Sequence, residues 1–201
     1  MIDFFQAILN QFIQTSLFEW FAFVIALLQI VFSYFNKKIN FYFGALSSSL
    51  YSILFFQFAL YAESLLNIYY LVASIAGLIY WKSSDQIIQI SYSTRRYWIR
   101  AFIVFFVSFG ILYVTLFYFS DSNVPFFDAF VSALAWAGTY LLVLRKIENW
   151  IWLSISNMIA IPLMCYKSLQ LTALLISIYL VLGIMGFFKW KKEIKSKTFS
   201  I

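Results

Sequence analysis

The chain has 201 residues, 64% hydrophobic and 23% aromatic, with only 11% charged and a formal net charge of +6. A soluble domain is about a quarter charged and one of this size cannot shelter so much apolar surface from water. Disorder is excluded by the aromatic content, and a disulfide scaffold, His-ligated metals and His general bases by a single cysteine, Cys165, and no histidine.

A helical crossing of a bilayer takes about 20 mostly apolar residues. Residues 1–18 hold no Lys or Arg, so they lack the basic start of a secretory signal. Their Phe and Ile suit a short interfacial helix. Seven apolar runs follow, over 19–36, 40–57, 62–81, 98–119, 128–144, 149–166 and 169–190. They predict an all-α membrane protein of seven transmembrane helices. The only long polar connection, Lys82–Tyr97, separates three runs from four.

Seven crossings put the termini on opposite sides. Thirteen of the fourteen basic residues then share one side, and Lys167 stands alone on the other. Short basic loops stay cytoplasmic, which predicts an outside N-terminus and a cytoplasmic C-terminus. This alternation accounts for the positive charge without nucleic acid as a partner.

A shift of 109 residues lays 19–81 on 128–190 without a gap. Lys37 meets Lys146, Asn40 meets Asn149, Tyr70 meets Tyr179, Gly77 meets Gly186 and Trp81 meets Trp190. The rare residues of the Tyr-x6-Gly-x3-Trp spacing carry this match. Residues 19–81 and 128–190 are therefore expected to be two three-helix repeats. Residues 82–127 form a cytoplasmic loop and a linker helix, and 191–201 a basic tail. A single linker crossing makes the repeats parallel, an arrangement transporters use around a central site.

Arg145-Lys146-x-Glu148-Asn149-Trp150, Asn157, the Phe-Phe-Gln-x-x-Leu-Tyr-Ala run at 55–62 and Gly77-x3-Trp81 resemble the PnuC family of vitamin transporters. The resemblance implies a 3+1+3 helix fold related to the SWEET sugar transporters. It also implies uncoupled uptake of nicotinamide riboside across a bacterial inner membrane, feeding NAD synthesis through a cytoplasmic kinase. Thiamine or another vitamin is the alternative, since Leu78 and Asn67 stand where riboside-type members commonly have Trp and Gln. A sugar is less favoured, because the chain has no Pro-Gln dipeptide.

Residues three, four or seven apart share a helix face. Gln29 and Asn157 are mid-span amides, which are costly in lipid without partners; they either bond within the bundle or meet a ligand. Asn67, Tyr70 and Ser74 form one polar stripe, and Tyr179 repeats Tyr70. Trp136 is the only mid-depth Trp and shares a face with Ser132 and Thr139. The expected substrate contacts are Gln29, Asn67, Tyr70, Trp136, Thr139, Asn157 and Tyr179.

No catalytic or metal residue and no cofactor is expected, and an enzyme is disfavoured. The carboxylates fall at span ends, with none at mid-depth where proton-coupled carriers keep one. The expected partners are a small vitamin, membrane lipid and, functionally, a kinase, with homo-oligomerisation left open.

Overall fold

The computed structural model describes residues 13, 15–57, 61–82, 89–120, 122–167 and 169–198. Most of the expected interfacial segment, and the end of the basic tail, lie outside them. Among the described residues, seven helices run α1 Leu17–Tyr34, α2 Ile39–Gln57, α3 Tyr61–Lys82, α4 Arg95–Phe119, α5 Pro125–Val143, α6 Asn149–Tyr166 and α7 Gln170–Thr198. All but α6 are long and apolar enough to cross a membrane. The polar Asn149, Asn157 and Ser154 dilute α6, yet it packs between α5 and α7 in the bundle. The chain is a multi-pass membrane protein.

Local chemistry fixes the ends. Ser16 and Glu19 form a reciprocal capping box that starts α1, and Pro125 opens α5 where its missing N–H costs nothing. α6 continues through Pro162 as one helix. Apolar rings and chains face outward, with Phe106 at 64% and Phe188 at 63% exposure. In water such a surface would aggregate; in lipid it needs no cover.

α2 packs between α1 and α3, and α6 between α5 and α7. The two groups meet along α1–α7 and α3–α5, while α4 lies against α5. The α1–α2 and α5–α6 turns are alike bond for bond. Asn36 N–H donates to Ser33 and Lys37 N–H to Phe32; Arg145 N–H donates to Leu142 and Lys146 N–H to Leu141. These pairs are Schellman motifs, whose central residue is left-handed. Asn36 has φ 53° and Arg145 φ 52°. Asn tolerates that region; Arg does so only at a cost, and its side chain supplies the compensation described below.

Basic residues gather where α1, α3, α5 and α7 end. There the 89–94 segment docks on the α5–α6 turn. Ser91 exchanges backbone bonds with Arg145 and Ile147. Lys146 Nζ donates to Ser91 Oγ at 2.7 Å, and Ser93 donates through N–H and Oγ to Glu148.

Candidate functional site: a central cavity between the halves

A cavity of about 300 Å³ lies between the two helix groups, lined by every helix except α4. Its wall uses positions 109 apart: Ala26 and Ala135, Phe41 and Trp150, Ser47 and Ser156, Ser48 and Asn157, Tyr70 and Tyr179. The volume is at the lower end for small-molecule sites, which combine apolar walls with a few placed polar groups.

The polar groups fall into two sets. Some are spent on the protein: Tyr179 donates to the Ala26 carbonyl at 3.0 Å, Asn67 Nδ2 to Glu63 O at 2.9 Å, and Ser156 to Val131 O at 2.8 Å. Ser47 Oγ donates to Gln29 Oε1 at 3.0 Å, which holds the amide and leaves its NH₂ donors available. The Asn157 amide, Tyr70 hydroxyl and Thr139 hydroxyl line the wall and make no hydrogen bond among the described residues. Toward the basic end, Ser33 Oγ, Asn40 Oδ1 and Trp150 Nε1 are buried without a hydrogen-bond partner among the described residues.

Close helix approach sets the polar corner. A Cβ on Gly44 would stand 2.7 Å from Ser74 Oγ and 3.2 Å from Gln29 Nε2, so this glycine lets α1, α2 and α3 converge. At the equivalent height of the second half the sizes are exchanged. Gly138 faces Leu153, whose Cγ would lie 2.8 Å from an added Cβ. Gln29 thus occupies in one half the contact that Leu153 occupies in the other. The result is a cavity more polar on one side than its repeat would dictate.

Each end of the cavity is tied across the halves. At the basic end, Trp81 Nε1–H donates to Val143 O at 2.8 Å. The Arg145 guanidinium lies 3.4 Å from the centroid of the Trp81 ring, a cation–π contact that offsets its left-handed backbone. Burial lowers the Arg145 pKa to about 10, against the opposing pull of Glu193, so it stays charged at neutral pH. At the opposite end, Lys167 Nζ meets Asp128 at 2.7 Å and Glu63 at 3.1 Å. Asp128 also accepts from Ser122 Oγ at 2.6 Å. Burial alone would lower the Lys167 pKa, but the Asp128 hydrogen bond and the two carboxylate charges raise it overall.

The profile of the nicotinamide mononucleotide transporter family matches residues 16–192. The chain belongs to this family. A crystal structure described as that of the vitamin B3 transporter PnuC superposes with a TM-score of 0.74. It shares 24% identity, over 96% of this chain and 88% of that one, and so shows a common fold. No curated protein matches the sequence.

Within this transporter the cavity collects Gln29, Asn67, Tyr70, Thr139, Asn157 and Tyr179, six of the seven expected contacts. Trp136 is placed elsewhere. Its ring stacks on Tyr69 at 3.8 Å and 11°, packed with Leu112, Leu116 and Ala129. Ser132, Ala135 and Thr139 face the cavity, and Trp136, one position on from Ala135, turns toward α3. Its Nε1 is buried without a hydrogen-bond partner among the described residues.

Glu63, at a span end in the first turn of α3 as the sequence predicts, also reaches the cavity wall. A local signal existed for this: Lys167 was the single basic residue on its side, and a lone cation near lipid needs acids.

Proposed function

We propose that this protein carries nicotinamide riboside across the bacterial inner membrane by facilitated, uncoupled transport, with a cytoplasmic kinase trapping the product. The charge of the cavity wall carries this reading. Among the described residues, its lining side chains include one formal charge, the Glu63 carboxylate, and no Lys or Arg. A phosphate ester would need Arg or Lys partners in such a place, which argues against the mononucleotide itself. A riboside bears a pyridinium ring that aromatic faces attract by about 0.5–2 kcal/mol per contact. Tyr70 and Tyr179 supply such faces, while Gln29, Thr139 and Asn157 supply amide and hydroxyl partners for the sugar.

The basic end is cytoplasmic in this reading. Residues 19–81 and 128–190 act as two repeated halves that open the cavity to one side and then the other. Leu78, which departs from the riboside-type pattern, belongs to a separate pocket with Lys38, Tyr42, Ile79 and Trp81, outside the central cavity. Asn67, the other departure, lines the central cavity and keeps thiamine as the alternative substrate.

Purified protein in lipid vesicles tests the proposal. Labelled riboside should equilibrate to the external concentration and stop, with further accumulation only when kinase and ATP are enclosed. Accumulation driven by a sodium or proton gradient would overturn the uncoupled mechanism. Faster entry of thiamine would transfer the reading to that vitamin. Entry of the mononucleotide at the rate of the riboside would overturn the charge argument.

A further inference from the structure

We infer that Glu63, paired with Lys167 in this structure, is a charge-selective contact which the fixed positive charge of an aromatic cation takes over, releasing the tie across that end of the cavity. The inference deepens the riboside reading and rests on it for the identity of the cation.

The argument starts from an asymmetry in the tie. Lys167 and Asp128 belong to the second half, whereas Glu63 reaches them from the first turn of α3 in the other half. The Asp128 contact is shorter, Asp128 is the more buried acid at 9% side-chain exposure against 21% for Glu63, and Ser122 supports it. When the halves part, Lys167 keeps a carboxylate partner and Glu63 loses its own. A carboxylate left unpaired in a partly buried wall is costly. That cost holds the empty carrier shut at this end.

Glu63 lines the cavity, so a cation entering there can replace Lys167 as its partner. The separated state is then compensated only when a positive substrate is present. A ligand shifts a conformational balance only through its different affinity for the two states, and a charge exchange at Glu63 supplies that difference. Neutral molecules of the same shape would bind without releasing the tie.

Two measurements test this. The first compares binding of nicotinamide riboside with its uncharged dihydro form. Glu63→Gln should erase about a tenfold preference for the cation over the neutral form, because a desolvated charge contact is lost. An unchanged preference overturns the inference.

The second uses Thr172, which lines the cavity 109 residues after Glu63. Cys165 is exposed, so Thr172→Cys is made with Cys165→Ser and labelled by a membrane-impermeant maleimide. Lys167→Met, or added riboside with Lys167 intact, should speed labelling severalfold. Labelling unaffected by either overturns the inference even for a carrier that moves riboside.

The two failures are separable. If riboside does not bind but N-methylpyridinium does, and Glu63→Gln abolishes that binding, the vitamin reading fails and the charge exchange stands. If no aromatic cation binds, both fail.

Discussion

Trp150 meets Trp190 edge-on, with ring centroids 5.4 Å apart and planes at 83°. In the other half, 109 residues earlier, Phe41 meets Trp81 in the same way at 4.8 Å and 87°. A glycine one turn before each terminal Trp makes room for the ring. A Cβ on Gly186 would stand 2.8 Å from Trp150, and one on Gly77 would collide with Phe41. Two glycines thus bring α3 against α2, and α7 against α6, at the same height in both halves. Both layers border the cavity, since Phe41 and Trp150 line it.

This layer predicts a contrast between glycines. Gly186→Ala should lower stability by about 1–3 kcal/mol, the usual cost of overpacking a filled core. Gly110→Ala on α4 meets nothing within 4 Å and should be neutral or gain up to about 1 kcal/mol in helix propensity. Thermal unfolding in detergent distinguishes the two; equal losses would mean that the ring layer is not tightly packed.

Asn157→Leu and Trp136→Leu should separate function from packing. The first removes an unengaged amide from the cavity and should weaken riboside binding by roughly 1–3 kcal/mol, with little change in melting temperature. The second removes the ring stacked on Tyr69, so stability should fall more than binding. Titration calorimetry beside thermal scans reads both. The reverse pattern would return Trp136 to the site.

Trp81→Phe keeps a ring against Phe41 but deletes the donor to Val143. It should cost about 1 kcal/mol for the lost hydrogen bond. Some of the cation–π attraction goes too, since Trp is the best of the aromatic faces. Unchanged stability would show that the bond carries little of the contact between α3 and the end of α5.

Lys167 gives a pH dependence of known sign. Its pKa is raised above the ordinary 10.5 in the folded protein. The stabilisation from its pairing is therefore fully present below that value and is lost as pH rises through the higher folded value. Raising the pH from about 7 to 9 should leave the Lys167-dependent part of stability untouched. The difference in melting temperature between wild type and Lys167→Met should stay constant over that range.

Orientation is the broadest test. A reporter that folds only outside the cytoplasm, fused after Lys197, should be inactive, and an activity there would reverse the basic end.

Much of this architecture was legible from the chain alone. Seven apolar runs, the clustering of Lys and Arg at alternate ends, and the recurrence of Asn40, Tyr70, Gly77 and Trp81 at Asn149, Tyr179, Gly186 and Trp190 are properties of local composition and spacing. Hydropathy adds residue by residue over a span, so helices α1 to α6 begin and end close to where the sequence predicts, whereas α7 continues past its apolar run, through the basic residues expected to form a tail, to Thr198. Part of the polar cavity wall was legible too, because amides and hydroxyls inside lipid-facing helices must turn inward to find partners.

Tertiary structure alone decided the direction of Trp136 and the pairing of Glu63 with Lys167. A helix turns about 100° per residue, so Ala135 and Trp136 can sit on either side of a boundary that only the packing of α3 against α5 draws. Glu63 and Lys167 are 104 residues apart, on segments with no local signal linking them. They meet because α3 and the α6–α7 turn reach the same end of the cavity. A lone cation announces that it needs an acid; which acid, and in which half, is settled by where the two halves touch.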